Sequence, residues 1–287
     1  MADGSCLCGT VKWRTTGMLE TLSHCHCSQC RKAHGAAFAS YTATAPDRFQ
    51  WLAGTDAIRH YNSSGEINRA FCGTCGGVVP EDAPGGKEIY IPAGSFDDDP
   101  ELRGGYHIFV GSKAPWHEIA DDLPQHEFYP AGSQDAAQLP VVEPAALTAP
   151  TPGVARGSCL CGDIAFTVEL PFKFIHNCHC TRCRKARAAA HTTNGFVAKD
   201  KVVFQRGQDQ IVTYKRPDAK YFTHCFCARC GSGMPRLDPD RNIAVIPLGS
   251  LDDSPNQRPD DHIFVGSKAP WYEIADDLPQ FTAMPTK

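Results

Sequence analysis

The chain has 287 residues, 42% of them hydrophobic, enough for two domains that each bury a core. A net charge of −4 and a pI near 6.3 supply no positive field for holding nucleic acid. No segment approaches the roughly 18 apolar residues of a membrane span, and Met1 to Cys6 lacks a basic stretch leading into an apolar run, so neither a membrane anchor nor a signal peptide is expected.

Fifteen cysteines set the organisation. Cys6, Cys8, Cys25, Cys27, Cys30, Cys72 and Cys75 recur in order as Cys159, Cys161, Cys178, Cys180, Cys183, Cys227 and Cys230. The flanks recur too: Gly4-Ser5-Cys6-Leu7-Cys8-Gly9 returns at Gly157 to Gly162, and the run from His107 to Trp116 returns from His262 to Trp271. The chain is therefore a tandem duplication. The offset between copies grows by two residues between Tyr214 and Cys227, where a hairpin tip absorbs an insertion at little cost. The cysteine count is odd, and CxC and CxxC spacings set two sulfurs on one ion more readily than on distant partners. Metal chelation in a reducing cytoplasm is expected rather than disulfides.

In chain order, short runs rich in β-branched and aromatic residues predict strands near Thr10 to Arg14, Phe38 to Ala43, Ala57 to Tyr61 and Glu88 to Pro92. No long segment holds a 3.6-residue period, and one short helix is expected near Pro115 and again near Pro270, where proline suits a first turn. Residues 131–155 contain Pro140, Pro144, Pro150 and Pro152 among alanines and read as an extended linker. The fold class is mainly β, with a first domain over 1–130 and a second over 156–287. The linker permits the halves to pack as an internal pseudo-dimer.

Within the first half, Cys6 and Cys8 join Cys72 and Cys75 as two short-spaced pairs from distant sequence, the usual arrangement of a closed structural zinc site. Cys159, Cys161, Cys227 and Cys230 match them. Glycine after the last cysteine lets the backbone turn back over the sulfurs. Cys25, Cys27 and Cys30, matched by Cys178, Cys180 and Cys183, supply three thiolates from one turn. Either the fourth position is open to water or substrate, as in catalytic zinc, or the site is closed by His24, His26 or His34. A zinc ion at an open position favours an incoming thiol as thiolate. Arg31 and Lys32, with Arg184 and Lys185, follow these clusters. They are candidates for steadying a net negative site or receiving a substrate carboxylate, or else they form a solvated basic turn. Cys225 stands where the first half has Ala70 and reads as a small buried residue. His107 and His262 read as strand histidines.

These residues carry a resemblance. Each half resembles the glutathione-dependent formaldehyde-activating enzyme family, also called the centromere protein V domain. The matching elements are Gly4-x-Cys6-x-Cys8-Gly9, Cys25-His26-Cys27-x-x-Cys30-Arg31-Lys32, Phe71-Cys72-x-x-Cys75-Gly76, Ala93-Gly94-Ser95-x-Asp97-Asp98 and the His107-to-Gln125 tail. The resemblance implies a zinc-binding β-tent fold with two zinc ions per domain, four per chain. It implies a carbon–sulfur lyase that joins glutathione and formaldehyde, with Cys25, Cys27 and Cys30 (and Cys178, Cys180 and Cys183) around the catalytic ion. The second half departs from the pattern: Arg187-Ala188-Ala189-Ala190-His191 replaces His34-Gly35-Ala36-Ala37-Phe38. Two alternatives stand beside this reading. One is a zinc enzyme acting on a small metabolite through Lewis acidity. The other is a non-catalytic, bivalent protein-binding module.

Overall fold

A computed structural model describes residues 1–65, 67–131 and 151–285. The first half runs through β1 (Ala2–Ser5), β2 (Lys12–Thr15), β3 (Ser23–Cys25), helix α1 (Ser28–His34), β4 (Ala39–Thr44), β5 (Phe49–Ala53), β6 (Ile58–Ser64), β7 (Ile67–Cys72), β8 (Glu81–Asp82), β9 (Ile89–Pro92) and β10 (Tyr106–Ile108). They assemble as a sheet β1-β2-β5, a sheet β10-β3-β4-β9-β8 and a hairpin β6-β7. Only the β3–β10 pairing is parallel among these.

The second half repeats the plan with β11 (Val154–Ser158), β12 (Ala165–Glu169), β13 (Phe174–Cys178), helix α2 (Thr181–Arg187), β14 (Thr192–Val197), β15 (Val202–Arg206), β16 (Ile211–Lys215), β17 (Thr223–Cys227), β18 (Arg236–Asp238), β19 (Ile243–Pro247), β20 (Asp261–Ile263) and β21 (Gln280–Phe281). Its sheets are β11-β12-β15, β18-β19-β14-β13-β20-β21 and β16-β17. The protein is mainly β, with two short α-helices among the described residues.

Each expected strand starts within two residues of its expected position. The insertion lies in the tip between β16 and β17, as anticipated. The stretch from 132 to 150, read as linker, lies outside the described residues, while Val154 and Ala155, placed in that linker on sequence, already belong to β11. The helices are not where proline suggested. Pro115 and Pro270 sit in single turns, closed by His117 N–H to the Ala114 carbonyl at 3.0 Å and Tyr272 N–H to the Ala269 carbonyl at 3.1 Å. Proline serves there as the second residue of a turn. The helices instead grow from the cysteine turns: Cys27 and Cys180 are N-caps whose Sγ atoms accept the N–H of Cys30 and Cys183, each at 3.4 Å.

Reciprocal contacts join the halves. Lys32 Nζ, 3% exposed, ion-pairs with Asp252 at 2.6 Å and donates to the Ser158 carbonyl at 2.9 Å. Lys185 Nζ pairs with Asp97 at 2.6 Å and donates to the carbonyls of Ser95 and Ser5 at 2.6 and 3.1 Å. The same backbone device repeats at Gly94 and Gly249. A Cβ on Gly94 would lie 2.3 Å from Ala189 N, and one on Gly249 2.4 Å from Ala36 N, so only glycine admits the opposite half's helix end. One apolar cluster crosses the boundary, holding Leu22, Phe38 and Trp116 with Phe166, Ile246 and Trp271.

The lysine pairs are unequally buried, and this sets their energetic weight. Removing one partner of a buried pair strands the other charge, at a cost of about 3–5 kcal/mol. Lys32→Ala is expected to destabilise by about 3 kcal/mol. Lys185→Ala should cost less, because Asp97 is 42% exposed and can return to water. Denaturant unfolding of both variants checks the order.

At the boundary, the His191 ring lies 5.8 Å from Phe38 and 5.4 Å from Tyr272. Burial, then the neighbouring His262, holds its pKa down near 3. Above the unfolded value near 6.5 both states are neutral. As pH falls below it the unfolded chain takes a proton that the folded one refuses until about pH 3, so stability falls with pH. Between pH 6.5 and 5 this costs about 2 kcal/mol. His191→Phe, which installs the residue found at Phe38, should lose that much less stability over the same interval in a series of melts.

Candidate metal centres and the cavity beside one of them

Four cysteine groups form, each with its Sγ atoms within 4.8 Å of one another: Cys6, Cys8, Cys72 and Cys75; Cys159, Cys161, Cys227 and Cys230; Cys25, Cys27 and Cys30; Cys178, Cys180 and Cys183. All are free thiols. In the four-cysteine groups Cys6 and Cys8 are 3.4 Å apart, Cys8 and Cys72 3.8 Å, Cys159 and Cys161 3.4 Å, and Cys161 and Cys227 3.7 Å. Sulfurs around a tetrahedral zinc with bonds of about 2.3 Å sit about 3.8 Å apart, so the donor set and its spacing fit that ion. Backbone amides face the sulfurs: Val11 N–H reaches Cys6 Sγ at 3.3 Å and Ile164 N–H reaches Cys159 Sγ at 3.2 Å. Gly76 and Gly231 take φ of +71° and +73° after the last cysteine. Their missing side chains also make room for the ring of Phe226 over Gly76 and of Phe71 over Gly231, each from the opposite half.

The three-cysteine groups hang between a strand end and a helix start. Strands β3 and β13 deliver Cys25 and Cys178; Cys27 and Cys180 cap the helices; Cys30 and Cys183 lie in their first turns. Hydrogen bonding with Cys178 and Cys183 holds the Cys180 thiol below the usual cysteine range. The closed-site expectation finds no support in the histidines, because no imidazole joins these groups among the described residues. His24 Nδ1 bonds Ser40 Oγ at 2.9 Å. His34 spends both nitrogens, on the Arg187 carbonyl at 2.6 Å and the Tyr41 hydroxyl at 2.7 Å.

His26 belongs to a relay. Its Nε2 bonds His107 Nδ1 at 2.8 Å, and His107 Nε2 reaches Asp121 at 3.0 Å. His179, His262 and Asp276 repeat this at 2.8 and 2.9 Å. The aspartate can only accept, so each central ring donates to it and accepts from the ring behind it. Burial keeps the inner rings neutral, at about 3 for His26 and about 2 for His179. His107 and His262 are thus satisfied strand histidines, as read from sequence.

The basic residues after the clusters divide. Lys32 and Lys185, read as candidate substrate contacts, are engaged by the opposite half's aspartates and carbonyls. Their side chains leave the helix on the face turned to the other half, and a buried ammonium takes the nearest carboxylate. Arg31 and Arg184 stay half-buried on helices α1 and α2, with Nε donating to the carbonyls of His26 and Ser267 at 3.3 and 3.1 Å. A cation that the sequence reading missed stands at the first cluster: both terminal nitrogens of Arg69, on β7, lie within 3.7–3.8 Å of Cys30 Sγ. A charged residue two positions before the Phe71-Cys72 pair was the available signal. In the second half that position is His224. A cavity of about 150 Å³ opens there, against Cys178 and Cys183 and lined also by Arg187, His224 and Cys225.

Two cysteine-bearing β domains, each with a four-thiol and a three-thiol group of metal-ligand geometry, define a duplicated metal-type β protein. The family model of the glutathione-dependent formaldehyde-activating enzyme matches residues 1–112 and 154–267, and the chain belongs to that family. A solved structure of a Rhodobacter sphaeroides protein is similar at 20% identity, over 34% of this chain and 87% of that one, with a TM-score of 0.28. No curated protein matches the chain.

The two kinds of cluster should separate on metal removal. Cys8→Ser breaks the tie between the β1–β2 turn and the β7 turn and should cost on the order of 4 kcal/mol. Cys27→Ser should lower bound metal by one equivalent with a much smaller shift in melting temperature. Metal analysis beside thermal unfolding measures both.

Proposed function

We propose that the chain is a zinc-dependent carbon–sulfur lyase that joins or separates a thiol, such as glutathione, and an electrophilic carbon, such as formaldehyde. The observation that carries it is the pair of three-thiol clusters with no fourth protein donor among the described residues. A zinc ion held by Cys25, Cys27 and Cys30, and another by Cys178, Cys180 and Cys183, would supply an open position that favours an incoming thiol as thiolate. The chain's own residues do the rest. Arg69 balances the negative charge at Cys30, and the Cys27 and Cys180 sulfurs are held by helix amides. Arg31 and Arg184, on the cluster helices, are suited to the carboxylates of an anionic thiol. Lys32–Asp252 and Lys185–Asp97 support an internal pseudo-dimer in which each half braces the other's cluster helix. Fifteen unpaired thiols suit a reducing compartment such as the cytoplasm.

Cobalt-substituted protein tests the reading. Glutathione should shift the thiolate-to-metal absorption, and formaldehyde with glutathione should turn over. The Cys27→Ser, Cys180→Ser double variant should lose both, with turnover down by about a hundredfold or more, while keeping the metals at the four-cysteine groups. Unchanged turnover in that variant would sink the proposal.

A further inference from the structure

Strand register matches the two halves residue by residue around their three-thiol clusters. Ser23 pairs with Tyr41 and Tyr106 in the first half, and its counterpart His176 pairs with Asn194 and Asp261 in the second. Gln125 pairs with His107 and Gln280 with His262, which makes Met284 the counterpart of Tyr129. All three tyrosines pack on the first cluster, and Cys25, Cys27 and Cys30 are 7%, 8% and 7% exposed beneath them. Tyr41 is tethered there by its hydroxyl, 2.7 Å from His34 Nε2, and the Arg69 guanidinium rests against Cys30 Sγ. Aromatic rings and one cation thus cover the first cluster.

Each part of that cover is changed in the second half. Asn194 is short and donates to Thr192 Oγ1 at 2.9 Å, Asp261 accepts from His176 Nδ1 at 2.5 Å, and Met284 is 47% exposed. The arginine has moved as well. It stands on the helix as Arg187, where the first half has His34, while the hairpin position of Arg69 holds His224, bonded to the Cys75 carbonyl at 2.8 Å. Val78 becomes Gly233, where a Cβ would lie 1.0 Å from an Arg187 terminal nitrogen, so glycine is what admits the guanidinium there, away from the Arg69 position. Asn194, in place of Tyr41, lines the cavity of about 150 Å³ that reaches Cys178 and Cys183, together with His176, Thr192 and Arg236. Cys180 and Cys183 are accordingly only half-buried, where all three cysteines of the first cluster are buried. A cavity of about 150 Å³ accepts benzene, so this one admits the reacting end of a ligand.

We propose that the two three-thiol clusters have divided their roles. The second is the ligand-accepting centre, approached through the cavity beside Cys183. The first is sealed by Tyr41, Tyr106, Tyr129 and Arg69 and, when loaded, is a structural site. Naming a thiol as the ligand rests on the lyase reading; the division itself does not.

The test is a count of ligand positions on the full cobalt-loaded chain, by absorption titration with 2-mercaptoethanol and, separately, with imidazole. Each should reach its end-point at one equivalent per chain, since the four-cysteine groups are complete without a further ligand. Tyr129→Ala, which lies beyond the last strand of its half, should raise the end-point to two. Asn194→Tyr puts the first half's residue at the same register and should remove the equivalent that the wild type binds. Two equivalents in the wild type, none with either ligand, or one that Asn194→Tyr leaves in place each overturns the division. An end-point that Tyr129→Ala fails to raise overturns the seal. If Asn194→Tyr does not fold, the wild-type count and Tyr129→Ala decide. Glutathione–formaldehyde turnover is followed on the same samples. One equivalent of imidazole with no thiol bound and no turnover overturns the lyase reading and leaves the division standing; turnover with two thiols bound per chain does the reverse.

Discussion

Sulfurs crowded to 3.4–3.8 Å are the constraint on which this structure depends. Thiolates at that separation repel strongly in a buried site, and thiols gain little from one another. The arrangement is stable when a cation takes their charge, and the backbone is shaped for it: amides aimed at Cys6 and Cys159, left-handed glycines at Gly76 and Gly231, helices capped by Cys27 and Cys180. With strands of only two to seven residues, no single strand buries much apolar surface by itself. The four-cysteine groups tie the β1–β2 and β11–β12 turns to the turns after β7 and β17.

Duplication supplies the rest of the core. Each half's cluster helix ends on a glycine of the other half, and its lysine crosses to the other half's aspartate. The repeated Ala93-Gly94-Ser95-x-Asp97 segment and its match from Leu248 to Asp252 are thus receptors for the opposite helix. A side chain that looks poised for substrate in one copy is tied down by the other. This arrangement also frees the copies to diverge. Once the interlock is set by glycines and lysines, the histidine–arginine pair beside each three-thiol cluster can exchange places without loss of charge. The outcome differs because the change at residue 233 decides whether a guanidinium fits.

Much of the site was legible in the sequence. The short spacings within CxC, CxxC and CxCxxC are local, so they announced which neighbouring sulfurs come together before any fold was known. Strand positions followed from alternation and turn residues, again within a few positions along the chain. The helices were missed because a seven-residue helix makes no periodic pattern, although Arg31, Lys32, His34 and then Gly35 carry the signs of a helix end. The His26–His107–Asp121 relay escaped because its members lie 81 and 14 residues apart.

The sequence by itself determined the duplication, the β class and the membership of the four cysteine groups, since repetition, alternation and chelate spacing are properties of neighbouring residues. Only the tertiary structure decided the fates of the basic residues. Lys32 meets Ser158 across 126 residues, and Arg187 and His224 come to line one cavity. Whether a buried charge is paired with a carboxylate or spent on carbonyls depends on which distant surface is folded against it, and no local pattern encodes that surface.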